Sequence, residues 1–246
     1  MQRYFVREDL QQGQRLCLDK DDYFHLKKVM RHKNNDQVVV IDSKGSNFLT
    51  VIEDIDNNVL KTMEEIENDS ELDVKVTLIY ALAKGEKFDL VLQKATELGV
   101  SRIVPLITSR CVVRLDKDKF NKKRERYEKI LKEASEQSHR NLIPVLDDLI
   151  TVEQVKQYQG DYNVVAYEQT AKDKVHGGFK EVLENVEPGQ TINVIVGSEG
   201  GFSQAEVDYF NHNSYNNISL GKRILRSETA PLYILSAIGL FREVVR

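Results

Sequence analysis

The pattern of hydrophobic and polar positions changes near residue 70. Before that point, short apolar runs separated by turn residues predict five strands, at residues 3–6, 15–18, 37–42, 48–55 and 59–66. Between the second and third strands, apolar residues of segment 21–31 recur with helical spacing. Short strands around one helix favour a small β-barrel, because closure of the sheet removes its exposed edges.

After residue 70, predicted strands alternate with predicted helices. Near-continuous apolar runs predict strands at residues 74–82, 100–108, 162–167, 191–196 and 217–220. Amphipathic patterns predict helices at residues 86–98, 120–138, 203–212 and 229–245, and Ser203 with Glu206 forms a capping box. This alternation is typical of a mainly parallel sheet covered on both faces, and therefore of an α/β fold. A polar, acidic segment at 67–73 predicts a linker, which divides the chain into domains 1–70 and 71–246.

Composition narrows the class of protein. The chain has 246 residues and a formal net charge of −4, which excludes a globally basic nucleic-acid coat protein. Its longest apolar run, Pro231–Phe241, is about half the ~20 residues that a membrane-spanning helix needs. No histidine or cysteine pair has the spacing of a metal site. We therefore expect a cytoplasmic protein with no metal and no membrane partner.

Charge is distributed unevenly along the chain. Residues 53–73 hold nine acids and one base, a balance of −8, whereas residues 110–140 hold eleven bases and six acids, a balance of +5. Such asymmetry is what a local phosphate-binding face produces. A solvated helix face explains the basic segment almost as well.

Two glycine-marked segments are candidates for a ligand site. In segment 194–203, an apolar strand is followed by Gly197, Gly200 and Gly201 around Glu199. Glycines at the carboxyl end of a parallel strand allow a bulky ligand to approach the backbone. Segment 218–231 combines three basic residues with apolar residues that have no regular period, and could line a pocket. An ordinary tight turn would explain the first pattern equally well, and a loop packed on the core would explain the second.

Taken together, the motifs resemble the RsmE-type enzymes of the SPOUT superfamily, which methylate N3 of uridine in 16S ribosomal RNA. The matching segments span nearly the whole chain, and the last two are the most specific. The matching segments are residues 2–5, 25–31, 84–87, 93–100, 103–105, 109–110, 133–138, 196–202 and 220–230. Two positions depart from the family pattern: Ser198 stands where proline is usual, and His139 where glycine is common. The first departure could loosen the turn.

The resemblance implies features that the residue pattern alone did not indicate. The fold would be an N-terminal PUA-like β-barrel followed by an α/β SPOUT domain with a deep C-terminal trefoil knot. The cofactor would be S-adenosylmethionine. The partners would be 16S ribosomal RNA or the small ribosomal subunit, and a second copy of the chain, bound through the C-terminal domain. No metal and no covalent intermediate would be required. The target uridine would be flipped or unpaired, because N3 lies on its Watson–Crick edge.

The same resemblance assigns residues to roles. The expected catalytic residues are Arg226, Glu199 and Glu228, with the base that takes the N3 proton left open among Glu199, Glu228 and an RNA phosphate. The expected cofactor-binding residues are Tyr167, Glu168, Val196, Gly197, Glu199, Gly200, Gly201, Leu220, Gly221, Ile224, Leu225, Arg226, Thr229 and Ala230. Local positive charge, and not the resemblance, gives the expected RNA-binding residues, which are Arg3, Arg7, Lys27, Lys28, Arg31, Arg110, Arg114, Lys122, Lys123, Arg124 and Arg140.

Three alternatives remain open at the level of sequence. The charges of the two glycine-marked segments could serve only to fasten their loops. The protein could be a non-catalytic RNA-binding or ribosome-assembly protein that has lost activity. It could also methylate a ribose 2′-hydroxyl, a reaction that does not need an exposed Watson–Crick edge.

Overall fold

A computed structural model describes residues 1–113, 116–167 and 178–245. Its backbone contacts separate two compact units. The N-terminal unit comprises residues 1–71 and 135–142, and the C-terminal unit comprises residues 72–134 and 143–246. Segment 135–142 therefore belongs to the N-terminal unit, although it begins more than sixty residues after Glu71. No sequence pattern indicated this.

The N-terminal unit is a five-stranded sheet with one short helix. Its strands are β1 (Arg3–Phe5), β2 (Arg15–Leu16), β3 (Gln37–Ile41), β4 (Asn47–Asp54) and β5 (Val59–Ile66). They lie in the order β1-β3-β4-β5-β2, with β1 parallel to β3 and the other pairs antiparallel. Helix α1 (Lys20–Phe24) continues as a π-helical turn, His25–Val29. The helix buries Leu26 against Tyr4 and Ile52 of the strands, in one apolar core.

Segment 135–142 is held in this unit by polar contacts. Arg140 is only 3% exposed, and its Nη2 donates to Glu71 Oε2 at 2.5 Å. The same carboxylate accepts the Asn141 backbone N–H at 2.8 Å, while the His139 carbonyl accepts from Ser70 Oγ at 2.6 Å. A buried guanidinium is tolerated because a carboxylate pairs with it.

The C-terminal unit alternates strands with helices. Its strands are β6 (Lys75–Ala81), β7 (Arg102–Ile107), β8 (Val145–Leu146), β9 (Ile150–Thr151), β10 (Tyr162–Ala166), β11 (Thr191–Val196) and β12 (Asn216–Ile218). Its helices are α2 (Lys87–Glu97), α3 (Lys117–Asn121), α4 (Arg124–Gln137), α5 (Gly178–Asn185), α6 (Gln204–His212) and α7 (Thr229–Leu240). A 3₁₀ helix spans Val152–Tyr158, and α7 ends in a π-helical turn, Phe241–Val245.

The seven strands of this unit form one parallel sheet, which confirms the predicted α/β class. The order is β12-β10-β11-β6-β7-β8, and β9 also pairs with β7. Alternate residues of β6 enter two different cores. Leu78 packs with Phe88 of α2 and Ile234 of α7, whereas Ile79 packs in the cluster that contains Phe210 of α6. Helices on both faces explain why these strands are almost continuously apolar.

The register of the sheet aligns the carboxyl ends of its central strands. Val196 of β11 pairs with Ala166 of β10 on one side and with Tyr80 of β6 on the other. Ala166 pairs in turn with Ile218 of β12. Because the strands are parallel, the segments that follow all four of them leave the sheet at the same edge.

Several predicted bounds differ from the structure. The single helix predicted at 120–138 is two helices, 117–121 and 124–137. The first begins before residue 120 because Asp116 caps it by accepting from the Lys119 backbone N–H at 2.8 Å. The sequence did not indicate β8, β9 or α5. Strands of two residues are too short to show a period. The trefoil knot stays a prediction. No helix within the described ranges has the length and apolar character needed to cross a membrane.

Gly99, which lies between α2 and β7, provides a test of how tightly the chain packs against Leu72. It has φ +86°, and a Cβ at this position would lie 2.7 Å from Leu72 Cδ1. Gly189 has a similar φ, +84°, but no atom within 4 Å of such a Cβ. Alanine is strained by about 1 kcal/mol in this region of φ at both sites, and overpacking adds roughly 1–3 kcal/mol at Gly99 only.

We therefore expect Gly99→Ala to lower the free energy of unfolding by at least about 1 kcal/mol more than the control Gly189→Ala. Urea unfolding followed by circular dichroism measures both. Equal losses in the two variants would show that the neighbouring leucine moves aside without cost.

Candidate active site at the carboxyl edge of the sheet

A pocket of about 950 Å³ opens where the central strands of the parallel sheet end. Its walls come from five parts of the chain. They are Lys87; Arg110; Ala166 with Tyr167; and most residues of segments 196–204 and 218–230. The volume is within the range of roughly 300–1,000 Å³ that small-molecule sites occupy.

The first glycine-marked loop forms one wall of this pocket by close backbone packing. A Cβ on Gly200 would lie 2.8 Å from the Arg110 carbonyl oxygen, and one on Gly197 would lie 3.1 Å from the Phe202 ring. The turn is closed by the Gly201 N–H, which donates to the Ser198 carbonyl at 2.9 Å. Glycine is therefore needed at 197 and 200 for close approach within the protein itself, in addition to any ligand.

The predicted capping box at the start of α6 fixes this loop. Ser203 N donates to Glu206 Oε2 at 2.7 Å, and the Ser203 side chain caps the helix in return. Glu206 is buried, and its other oxygen accepts the Ser109 N–H at 2.6 Å. One carboxylate thus ties the segment after β7 to the segment after β11.

The second glycine-marked loop, residues 219–228, forms the opposite wall. Leu220 and Leu225 are half-buried against the core that contains α2 and α7, and Ala230 in the first turn of α7 is buried. Ile224 also lines the pocket but is 72% exposed, so its side chain does not shield the pocket from solvent. The Tyr167 N–H donates to the Ile218 carbonyl at 3.2 Å, which places Tyr167 beside the start of this loop.

A three-residue ion cluster joins the two loops to the start of α2. Lys87 Nζ lies 3.0 Å from Glu199 Oε1 and 3.0 Å from Glu228 Oε2. Glu199 Oε1 also accepts the Lys84 backbone N–H at 3.2 Å, and Glu228 Oε2 accepts from Ser227 Oγ at 3.1 Å. The three side chains are 30%, 31% and 15% exposed, so the cluster is partly shielded from water.

The cluster keeps both carboxylates ionised. Burial alone raises the pKa of Glu199, but its own backbone N–H and the Lys87 ammonium outweigh burial and lower the pKa below its usual value. The pKa of Glu228 is lowered in the same way, with Ser227 as an additional donor. Hydrogen bonds to Glu199 and Glu228 raise the pKa of Lys87. Two acids and one base therefore form a stable group with one net negative charge.

Tyr80 lies beneath this cluster. It is fully buried at the end of β6. Burial raises the pKa of Tyr80, a hydrogen bond with Ser227 lowers it, and the charges of Glu199 and Glu228 raise it further. The net effect is a raised pKa, so the hydroxyl stays neutral.

The structure brings most of the predicted cofactor-binding residues together. Those that line the pocket are Tyr167, Val196, Gly197, Glu199, Gly200, Gly201, Leu220, Gly221, Ile224, Leu225, Arg226 and Ala230. Thr229 is exposed in the first turn of α7 and is not part of the lining. Glu168 lies outside the described residues.

Two of the predicted catalytic residues, Glu228 and Arg226, do not pair with each other. The structure pairs Glu228 with Lys87 and Ser227. Arg226 is exposed and lines the pocket. Within the described ranges, its guanidinium makes no ion pair with an acid.

The predicted RNA-binding residues fall into four groups, of which the last, Arg3 and Arg140, is buried. Those that are exposed are Arg7, Lys28, Arg31, Arg110, Lys122 and Lys123. Lys27 is bonded to Asp56 at 2.9 Å, and Arg124 donates to the Leu146 carbonyl at 2.9 Å as well as pairing with Asp148. Arg114 lies outside the described residues.

Arg3 and Arg140 are not surface residues. Arg3 is 8% exposed and donates to Asn47 Oδ1 at 2.7 Å, and Arg140 is paired with Glu71. Both guanidinium groups are used inside the N-terminal unit, so neither is available to a phosphate in this structure.

Lys87 is the main residue of the pocket to which sequence reasoning assigned no role. The Lys84–Lys87 segment carried part of the family resemblance, but nothing in the pattern showed that its last lysine reaches two acids more than 110 residues away. Within the part of the chain that the structure describes, no group of three or more His, Cys, Asp or Glu residues is arranged to hold a metal.

Comparison with known proteins agrees with this arrangement. Residues 70–239 match the family model of an RNA methyltransferase domain, and residues 18–61 match that of an RNA methyltransferase PUA domain. Ribosomal RNA small subunit methyltransferase E of Bacillus subtilis is 34% identical, over 100% of this chain and 99% of its own length. The enzyme of the same name from Mesomycoplasma hyopneumoniae is 32% identical, over 96% of this chain and 98% of its own length.

A solved structure is similar over the same extent. The crystal structure of ribosomal RNA small subunit methyltransferase E from Neisseria gonorrhoeae, bound to S-adenosyl methionine, superposes with a TM-score of 0.85. It is 29% identical, and the match covers 97% of this chain and 96% of that one.

Proposed function

Because the chain belongs to the ribosomal RNA small subunit methyltransferase E family of RNA methyltransferases, we propose that it methylates N3 of one uridine in 16S ribosomal RNA, with S-adenosylmethionine as methyl donor. The observation that carries this proposal is the meeting of the two glycine-marked loops around one pocket at the carboxyl edge of the sheet. The methyltransferases with which the chain shares its sequence and fold support the same cofactor.

The residues of the pocket fit S-adenosylmethionine. Leu220, Leu225 and Ala230 offer an apolar surface for an adenine ring, and the backbone of the same loop offers polar groups to its edge. The net negative ion cluster suits a cation. When bound, S-adenosylmethionine supplies an electrophilic methyl group on a positively charged sulfur. We assign the remaining predicted lining residues to the same pocket, and we keep Glu168 and Thr229 as proposed cofactor-binding residues.

Glu199 and Glu228 act in this proposal as fixed negative charges. A general base works best when its pKa lies near the operating pH. The Lys87 ammonium and nearby N–H groups move the pKa of both carboxyls in the opposite direction. We therefore assign them to orienting and neutralising the methyl donor, and not to accepting the N3 proton.

Arg226 is the residue that we assign to the uridine. Loss of the N3 proton places negative charge on the uracil oxygens, which a guanidinium stabilises through paired hydrogen bonds. Arg226 lines the pocket without an acidic partner among the described residues, so its charge is available for this purpose.

RNA would bind through exposed basic residues in each unit. In the N-terminal unit these are Arg7, Lys28 and Arg31, with Lys27 beside them. In the C-terminal unit they are Arg110, Lys122 and Lys123. We leave Arg3 and Arg140 out of the surface because their guanidinium groups are buried and bonded.

We also keep the homodimer as a proposal. The last helix buries Ile234, Leu235 and Ile238 but exposes Tyr233 by 44% and Leu240 by 57%. Exposed apolar side chains on an otherwise buried helix are suited to a second copy of the chain. A cytoplasmic location remains a prediction.

Incubation with S-adenosylmethionine and either free 16S RNA or the small subunit tests the function. We expect one methyl group per RNA, located on the base of a uridine by mass mapping of nuclease fragments. Methylation of a ribose would support the 2′-hydroxyl alternative. Tight RNA binding with neither methylation nor cofactor binding would support the non-catalytic alternative.

Arg226→Ala is expected to lower turnover about 100- to 1,000-fold, as loss of one stabilising donor does, while changing the cofactor dissociation constant less than about threefold. The turnover of Arg226→Lys should lie between that of Arg226→Ala and that of the unaltered protein, because lysine keeps the charge but cannot form the paired hydrogen bonds. Single-turnover kinetics and calorimetry measure the two quantities. Equal losses of turnover and affinity would assign Arg226 to the cofactor loop.

Lys122→Ser/Lys123→Ser is expected to weaken RNA binding and to reduce the slope of log K against log salt by about 1 to 2, because each phosphate contact contributes roughly 0.7 to 0.9. Filter binding at several salt concentrations gives this slope. The control Lys156→Ser/Lys180→Ser removes two exposed lysines outside the proposed surface and should leave it unchanged. If both double variants give the same salt slope, the segment that contains Lys122 and Lys123 is only a solvated face.

A further inference from the structure

We propose that Lys87 is a positioning residue that assembles Glu199 and Glu228 into a cluster with one net negative charge, and that this cluster binds the positively charged methyl donor in preference to its neutral product. The inference rests on the proposed function, since it takes S-adenosylmethionine as the ligand of the pocket. It adds a residue and a ligand preference that the proposed function does not require.

The position of Lys87 shows why it can assemble the cluster. It begins α2, directly after the segment that follows β6, whereas Glu199 follows β11 and Glu228 immediately precedes α7. Its ammonium lies 3.0 Å from a carboxylate oxygen of each. One side chain therefore holds together three segments that leave the same edge of the sheet.

The environment explains why the two acids need Lys87. Both carboxylates are partly shielded from water, and two negative charges that share a site repel each other. An ammonium between them removes this repulsion and supplies a hydrogen bond to each. A lysine has three N–H donors, and two of them are used here.

The charge arithmetic gives the preference for the donor. Two carboxylates and one ammonium sum to −1, which a sulfonium of charge +1 neutralises. When the methyl group moves to N3 of the uridine and the N3 proton leaves, the sulfur retains its electron pair and becomes a neutral thioether. S-adenosylhomocysteine then lacks the charge that matched the cluster, while the rest of the molecule is unchanged.

The charge of −1 is that of the cluster alone, and most of the other charged side chains around it are basic. The basic and acidic side chains on the surrounding segments are Lys84, Glu86, Arg110, Lys222, Arg223 and Arg226. Burial raises the pKa of Tyr80, so its hydroxyl stays neutral, and Cys111 is close enough to Tyr80 to contribute to that shift. Charged lysine and arginine side chains keep their charge between pH ~5.5 and ~8.

Calorimetry with S-adenosylmethionine and S-adenosylhomocysteine, from pH ~5.5 to ~8, tests the proposal without an activity assay. In the unaltered protein, the ratio of the two dissociation constants should be flat, because the lowered pKa of both carboxyls keeps them ionised. In Lys87→Met, the ammonium that opposes burial and separates the two carboxylates is lost, so their mutual repulsion raises the pKa of one carboxyl. Affinity for the cation should then fall as the pH is lowered, about tenfold over this range, while affinity for the neutral product should not follow.

Two further variants complete the design. Lys87→Arg keeps the charge and should restore a flat ratio. Lys94→Met is the matched control, because Lys94 lies on the same helix and pairs with Glu97 at 2.7 Å on the surface, away from the pocket. It should behave as the unaltered protein does.

Glu228→Gln keeps the proposal testable if Lys87→Met does not fold, which thermal unfolding will show. This change removes the net charge of the cluster and should weaken binding of S-adenosylmethionine about tenfold, with S-adenosylhomocysteine nearly unaffected. The proposal is overturned if the ratio of the two dissociation constants does not change with pH in Lys87→Met. It is also overturned if either variant loses equal affinity for both ligands. If the unaltered protein binds neither ligand, the proposed function itself is wrong.

Discussion

Parallel pairing of β11 between β10 and β6 is the constraint on which the site depends. It places Val196, Ala166 and Tyr80 in one row, so that the segments after these strands emerge at one edge of the sheet. The apolar faces of the strands are covered by helices, which leaves that edge as the place where backbone and polar groups remain accessible. The pocket follows from this arrangement, because residues as far apart in the chain as Lys87 and Ala230 become neighbours there.

The pocket combines an ion cluster that has one net negative charge with several exposed basic side chains. Arg110, Lys222, Arg223 and Arg226 line the same pocket. The cluster attracts a cationic small molecule, whereas the basic side chains attract a polyanionic RNA. The same lysine that makes the two carboxylates compatible with partial burial also lowers their pKa, which disfavours a role as base.

The N-terminal unit shows how a basic residue can be misassigned from sequence. Arg140 belongs to the basic segment, yet its guanidinium is buried against Glu71 and joins segment 135–142 to the unit. Just before it, His139 has φ +61°, a conformation that favours glycine, which is common at this position in the family. Ser198, the other departure, lies in a turn closed by the Gly201 N–H. Neither departure interrupts the local hydrogen bonding.

The sequence by itself determined the class of fold, the order of most strands and helices, and the two loops of the pocket. Those features depend on local periods, caps and glycines, which a linear pattern records. It could not determine which charges are paired, because Lys87 and Glu228 meet only through the register of a parallel sheet. Nor could it separate the exposed Lys122 from the buried Arg140, since both belong to one basic run. Burial and pairing are properties of side chains brought together from distant segments, and only the tertiary structure decided them.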